Sequence, residues 1–167
     1  MKKEHYLAVF AWFNAHPAAR QALKLGRAGS VAAVYLLYGG LLCFLAWRHS
    51  ARLWPVLAIP AAVFLLGTLL RKAVDRPRPY EALGFTPLFP KNTVGQSMPS
   101  RHCFSAAAIA VAATSVFWPL GVAAWVLAGC IAVSRVLAGA HYPSDVLAGL
   151  GFGALGALLG FALWMRF

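Results

Sequence analysis

The chain has 167 residues, enough for one domain. Hydrophobic residues make up 61% of it and charged residues 11%, against roughly 25% charged in ordinary soluble domains; this excludes a soluble globular protein and points to an integral membrane protein. A formal net charge of +11 suits nucleic acid, anionic lipid or a phosphorylated substrate, and nucleic acid is set aside because the cations adjoin apolar runs and no soluble region remains to bind it.

Residues 1–28 open on Lys2, Lys3, Glu4 and His5, continue through the apolar run YLAVFAWF and end in a basic stretch reaching Arg27. The run is too short to cross about 30 Å of hydrocarbon. A basic start and short apolar core outline a secretory signal. The aromatic-rich core and the poor cleavage site in NAHPAARQ favour a helix lying in the interface, with Phe10, Trp12 and Phe13 among headgroups.

The first span is expected at about Gly29–Trp47, followed by a basic turn of Arg48, His49 and Arg52, and the second at about Leu53–Leu70. Pro60 lies inside the second and requires a neighbour to satisfy the carbonyl it frees. A polar loop over 71–99 carries Pro77, Pro79, Pro87 and Pro90; loops this long are functional or disordered. No residue from Cys103 to Ser134 is charged, and Trp118-Pro119-Leu120-Gly121 divides this run into helices at about 101–117 and 120–136. The last span is about Pro143–Trp164, where Gly149, Gly153, Gly156 and Gly160 provide small-residue spacing for close helix packing. Cys43, Cys103 and Cys130 form no CxxC pair and are expected as buried, inert thiols.

The expected fold is therefore all-α: an integral membrane helical bundle of about five transmembrane helices plus an N-terminal interfacial helix, one domain over 1–167, with an interfacial segment 1–28 and a core 29–167. By alternation of spans, the long loop and the stretch 134–145 lie on the same membrane face.

Three clusters on that face carry chemistry. The first is RKAVDRPRP, residues 71–79, in which Arg71, Lys72, Arg76 and Arg78 are held by two prolines. Arginine forks match phosphate oxygens bidentately, while a basic flank beside a span also sets topology. The second is Pro99-Ser100-Arg101-His102. Ser100 is a good N-cap, and the helix start it caps directs backbone N–H groups toward an anion; an ordinary capped helix reads the same way. The third is Ser134–Asp145, with Arg135, His141 and Asp145. Pro143 suits the first helical turn, which leaves His141 just outside and Asp145 favoured by the helix dipole. A cap beside an interfacial histidine accounts for this pair but not for Arg135, and ionisable groups near hydrocarbon are usually functional.

Together the clusters resemble the type-2 phosphatidic acid phosphatase superfamily, which includes membrane lipid phosphatases and soluble vanadium-dependent haloperoxidases. The first family signature, Lys-x6-Arg-Pro, falls on Arg71, Arg78 and Pro79, with arginine at the lysine position and Lys72 beside it. The second, Pro-Ser-x-His, falls on Pro99, Ser100 and His102, and the third, Ser-Arg-x5-His-x3-Asp, on Ser134, Arg135, His141 and Asp145.

The resemblance implies a hydrolysis of lipid phosphates or diphosphates that needs no metal and no cofactor. It makes His141 the nucleophile, forming a phosphohistidine. Asp145 accepts from the other imidazole nitrogen, and His102 protonates the leaving oxygen. Arg71, Arg78, Ser100 and Arg135 hold the phosphate oxygens, with Lys72 and Arg101 as further candidates. The apolar spans argue against a soluble haloperoxidase. The short length and layout look like bacterial undecaprenyl-diphosphate phosphatases of this family; phosphatidylglycerophosphate, phosphatidate and a lipid A phosphate are the other substrates considered, with loop 80–98 selecting among them. A non-catalytic lipid-binding protein is a third class, disfavoured because nucleophile and acid are both present. The expected setting is a multi-pass protein of the cell membrane with a membrane lipid phosphate and the bilayer as partners. The active site is expected on the extracytoplasmic face, where the family's site usually lies; counting flanking cations favours the opposite orientation, but the loop cations are explained by substrate and an interfacial N-terminal helix is attracted to headgroups on either side. The oligomeric state is not read from the sequence.

Overall fold

The computed structural model describes residues 1–91 and 93–166; Asn92, in the loop expected over 80–98, and Phe167, at the end of the expected core, lie outside the described residues. The described chain is helical, with α1 Lys3–Ala15, α2 Pro17–Trp47, α3 Leu53–Val74, α4 Pro79–Ala82, α5 Arg101–Val116, α6 Trp118–Leu137 and α7 Pro143–Trp164. Of these, α2, α6, α7 and the helix beginning at Leu53 are long and apolar enough to cross a membrane. The remaining expected span, α5, has 16 residues, about 24 Å at 1.5 Å per residue. It is the axis of the bundle. Every residue from Ala106 to Ala113 is buried, because a run of alanines lets α2, α3, α6 and α7 all close on it.

Large apolar side chains instead face outward, among them Leu36 at 76% exposure and Leu65, Leu69, Val126, Leu147 and Leu159. Such a continuous apolar exterior is unstable in water and suited to lipid. Fold and apolar exterior make the chain a multi-pass helical membrane protein. The cysteines depart from expectation. All are free, but only Cys103 is buried; Cys43 and Cys130 lie on outward faces of α2 and α6, where a small thiol is compatible with lipid.

Local chemistry explains the joints. Pro60, inside α3, has no N–H to give to the carbonyl of Val56. The Tyr38 hydroxyl of α2 donates to that carbonyl at 2.9 Å, so the neighbour required by Pro60 is present. The break between α5 and α6 falls at Phe117, whose backbone is extended, and Pro119 stands in the first turn of α6. On α7, a Cβ at Gly149 would lie 2.8 Å from the Ser100 carbonyl oxygen, and one at Gly153 2.2 Å from that of Phe104. At Gly156 and Gly160 it would meet Val63 and Ile59 of α3. The glycine spacing thus seats α7 against both α5 and α3.

The N-terminal boundary at residue 28 is not found. Helix α2 starts at Pro17 and continues unbroken through it. Its 31 residues reach about 46 Å, so its basic first turns stand outside the hydrocarbon as a continuation of the span. Only α1 is left outside that helix from the segment expected at the interface, and only Trp12 of the three expected aromatics is exposed. Tyr6, Phe10 and Phe13 share one helical face and are buried with Leu88 of the long loop, because that loop offers them an apolar surface.

Alanine at Gly153, forced against backbone, is expected to cost about 1–3 kcal/mol and to lower the unfolding midpoint in detergent. Alanine at Gly151, which meets nothing within 4 Å, is expected to leave the midpoint unchanged or raise it.

Candidate active site

The long loop is tied at both ends by its own carboxylates. Asp75 ends α3 in the left-handed region and accepts from the Gln96 N–H at 3.1 Å. Gly95 also has positive φ, and a Cβ there would stand 2.6 Å from Asp75 Oδ1, so only glycine fits. Glu81 accepts from the Arg78 N–H at 2.7 Å and the Gly95 N–H at 3.0 Å. These bonds bring the arginines at the loop's start against its end. Arg71 donates to the Gln96 carbonyl. Arg78 donates through Nε to the Gly95 carbonyl at 3.0 Å and through Nη1 to the Ala140 carbonyl at 3.3 Å. Both guanidiniums are buried, and among the described residues neither pairs with a carboxylate.

The second cluster adjoins the third through backbone. The Ser100 N–H donates to the Asp145 carbonyl at 2.9 Å, joining the starts of α5 and α7. Ser100 stands at the N-cap of α5, yet its hydroxyl makes no cap bond. That side chain is fully buried with no hydrogen-bond partner among the described residues, so the expected capping by its side chain is replaced by an uncommitted polar group. His102 is half-buried on the first turn of α5, whereas Arg101 and Lys72 are exposed and make no hydrogen bond among the described residues.

In the third cluster, Ser134 bonds back to the Ile131 carbonyl at 2.8 Å. Arg135 is buried and its Nε has no partner among the described residues. Gly139, at φ 72°, turns the chain out of α6, and His141 follows at 2% exposure. Tyr142 and Pro143 start α7, so Asp145 falls in the first turn and its carboxylate accepts from the Tyr142 N–H at 2.9 Å.

The His141–Asp145 contact differs from the expected direct bond. Nδ1 of His141 lies 3.8 Å from the nearer carboxylate oxygen and donates instead to the Ser97 carbonyl at 2.8 Å. Ser97 stands between the two, its hydroxyl donating to Asp145 Oδ2 at 2.5 Å. The other carboxylate oxygen accepts from Arg76 Nη1 at 2.7 Å. Arg76 is further held over the Tyr142 ring, 4.4 Å from its centroid, and by the Ser144 hydroxyl at 2.9 Å. A carbonyl only accepts, so Nδ1 carries the imidazole proton and Nε2 is left with a lone pair. Burial pushes the His141 imidazole down to about 4, with Arg78 and Lys91 acting in the same direction and Asp145 against them.

Ser97, Arg76 and Tyr6 are the residues that motif reading misses. Ser97 lies outside all three signatures, and its partner His141 is distant in sequence. Arg76 counts as a loop cation until Asp145 comes beside it. Tyr6, fully buried on α1, donates its hydroxyl to the His141 carbonyl at 3.2 Å, a contact that only the tertiary fold makes. Among the described residues, no three His, Cys, Asp or Glu side chains converge as a metal ligand set.

Comparisons with known proteins bear on this arrangement. A family model described as the PAP2 superfamily matches residues 52–167. The Lipid A 1-phosphatase of Rhizobium etli is 38% identical over 107 residues, covering 61% of this chain and 46% of its own. That of Rhizobium johnstonii is 40% identical over 100 residues, covering 57% and 41%. The chain thus spans less than half the length of these curated relatives. Two solved structures share the fold. Aquifex aeolicus LpxE has a TM-score of 0.72 at 23% identity, covering 93% of this chain and 94% of that one. A transmembrane PAP2-type phosphatidylglycerolphosphate phosphatase from Bacillus subtilis has a TM-score of 0.63 at 22% identity, covering 97% and 93%.

The His141 environment makes a direct prediction. In a nitrogen-15 NMR titration of the detergent-solubilised protein, the His141 resonances should report an Nδ1-protonated neutral ring at pH 6 and protonate only near pH 4. Protonation near the ordinary value of about 6.5, or an Nε2–H tautomer, would contradict the arrangement.

Proposed function

The chain belongs to the PAP2 superfamily, and on that footing we propose that it is a membrane-embedded lipid phosphatase working through a phosphohistidine. One observation carries the reading: a buried neutral imidazole with its Nδ1 proton committed to Ser97 and its Nε2 lone pair free, in a site where, among the described residues, Arg71, Arg78, Arg135 and the Ser100 hydroxyl lack anionic partners.

In the proposed reaction His141 Nε2 attacks phosphorus and the bond to the lipid oxygen breaks. His102 gives its proton to that oxygen, so the leaving group departs as a neutral hydroxyl. His102 then takes a proton from water, whose oxygen attacks phosphorus as the P–N bond breaks, and His141 is restored. Arg71, Arg78, Arg135 and the Ser100 hydroxyl hold the nonbridging oxygens where charge develops. Asp145 acts through Ser97 and through its charge, stabilising the cationic ring of the intermediate. Lys72 and Arg101, exposed on this face, draw the anionic headgroup toward the site. Residues 1–167 act together as one catalytic unit, since α1 and the bundle both contact the nucleophile's loop.

The relatives favour a lipid A-type 1-phosphate as substrate over the undecaprenyl diphosphate suggested by length and layout. Both Rhizobium proteins carry that activity in their names, although this chain spans less than half of each. The proposed setting is a cell membrane with the site on the extracytoplasmic face, where the substrate headgroup rather than the positive-inside bias accounts for the cations.

The test is phosphate release in neutral detergent with excess chelator, across lipid A 1-phosphate, phosphatidylglycerophosphate, phosphatidate and undecaprenyl diphosphate. Turnover is expected to survive the chelator, to be fastest on lipid A 1-phosphate, and to fall by at least about 10³-fold in His141→Ala. Ser97→Ala is expected to lose about 10–100-fold, mostly in kcat, because it unpins the catalytic pair. No release from any of the four lipids, or retained activity in His141→Ala, would overturn the reading. For the face, a cysteine at Val94 in an otherwise cysteine-free background should react with an impermeant thiol reagent in intact cells; protection until lysis would reverse the orientation.

A further inference from the structure

The nucleophile is held through its backbone as well as through its ring. The turn from Gly139 to His141, where the chain leaves α6, is gripped residue by residue. At Gly139 a Cβ would stand 2.5 Å from the Phe10 ring and 3.2 Å from the Phe85 ring, so two aromatic side chains close on it. The Ala140 carbonyl accepts from Arg78 Nη1 at 3.3 Å. The His141 carbonyl accepts from the Tyr6 hydroxyl at 3.2 Å. The next N–H, that of Tyr142, donates to Asp145 at 2.9 Å.

The peptide between His141 and Tyr142 is therefore bonded at both ends. A peptide unit is planar, so fixing its carbonyl and its N–H fixes ψ of His141 and with it the direction of the Cα–Cβ bond. The Nδ1 bond to the Ser97 carbonyl then sets the ring, and Nε2 is aimed. The two donors to this turn differ in one respect. Arg78 holds phosphate in the reading above, so an arriving anion competes for its bond to Ala140. Tyr6 has no exposed surface, so neither solvent nor a headgroup reaches its hydroxyl. Burial also pushes that hydroxyl's pKa up, so it remains a donor. Helix α1 holds the donor firmly. The Tyr6 ring lies 5.2 Å from that of Phe85 and 6.3 Å from that of Phe10, and Lys3 ties the start of α1 to the Gly84 carbonyl at 2.9 Å. The three family signatures all lie between Arg71 and Asp145, so none of them supplies this contact.

Resting on the phosphatase reading above, we propose that Tyr6 is a positioning residue: its hydroxyl, carried by α1, fixes the His141 carbonyl and so aims Nε2 at phosphorus. It touches neither the substrate nor the reacting atoms. Removing the hydroxyl alone takes that donor from a buried carbonyl and frees the His141–Tyr142 peptide to rotate. Binding of the lipid phosphate changes little, because the arginines that hold it stay in place. The chemical step slows, because in-line attack is sensitive to a small misplacement of Nε2. A hydroxyl that only satisfied a buried carbonyl and fastened α1 would instead give lost stability with an unchanged kcat.

Three measurements on the full chain in neutral detergent test this: kinetics on the lipid turned over fastest, unfolding midpoints, and water exchange of the His141 Nδ1 proton by NMR. In Tyr6→Phe, kcat is expected to fall about tenfold with KM within about twofold of the wild type. The Nδ1 proton should exchange about tenfold faster, as loss of one hydrogen bond eases local opening. Para-methylphenylalanine at position 6 fills the space of tyrosine without a donor; it should behave like Tyr6→Phe and replaces it if that variant does not fold. Para-aminophenylalanine at position 6 restores an N–H donor and should recover most of both losses. Phe13→Leu, two turns beyond Tyr6 on the same buried face of α1, should lower the midpoint and leave kcat unchanged. Wild-type kcat in Tyr6→Phe, no recovery with para-aminophenylalanine, or an equal loss of kcat in Phe13→Leu would overturn the proposal. The exchange measurement needs no turnover. If the wild type releases phosphate from no lipid, the phosphatase reading fails by itself. Tyr6 then keeps its role if exchange quickens without the donor and recovers with it, and loses that role if exchange is unchanged.

Discussion

Asp145 is a carboxylate with no exposed surface, and the rest of the site is arranged to make that tolerable. Burying an unpaired charge is prohibitively costly, so the chain must bring donors to it. They come from separate segments: Arg76 and Ser97 from the two ends of the long loop, and the Tyr142 N–H from the start of α7. The Asp145 carbonyl takes the Ser100 N–H as well. One residue therefore anchors the loop, the start of α5 and the start of α7. Its requirement for partners holds together the three polar clusters that lie apart in sequence. His141 is located by this assembly, through Ser97, more than by direct attachment to the carboxylate.

The cations follow an opposite rule. Asp75 and Glu81 bond loop backbone, and Asp145 takes Arg76. Among the described residues, Arg71, Arg78, Arg135, Arg27 and Lys91 are left without carboxylate partners. A protein optimised only for stability would not leave them so, and departures of this kind mark functional sites. The bundle supplies the compensating stability at a distance, in the close approach of α7 to α5 permitted by Gly149 and Gly153 and in the alanine-lined axis of α5. That packing sits directly behind Ser100 and Cys103, so the scaffold and the site share one joint.

Much of this was legible in the sequence because the relevant physics is local. Span lengths follow from bilayer thickness, and the start of α7 at Pro143 follows from proline's fixed φ. Arg71, Arg78, Arg135, His141 and Asp145 stand at spacings set within a single turn or helix start, so the clusters were visible before their meeting. What was illegible depends on pairings between distant segments. Ser97 is an ordinary loop serine until His141 lies against its carbonyl. Ser100 reads as a side-chain cap, and only the folded chain leaves its hydroxyl free. Residues 16–28 read as a polar extension because their charge conceals that Pro17 begins one continuous helix. Phe10 and Phe13 suit headgroups equally well until the loop surface at Leu88 is present to cover them.

The central claim is that His141 Nε2 attacks phosphorus and water attacks in a second step. The stereochemical course at phosphorus tests it most directly. Hydrolysis of a lipid thiophosphate made chiral with oxygen isotopes should proceed with overall retention of configuration, since each of two in-line displacements inverts it. Inversion would mean that water attacks the lipid phosphate directly, and His141 would then have no place as nucleophile.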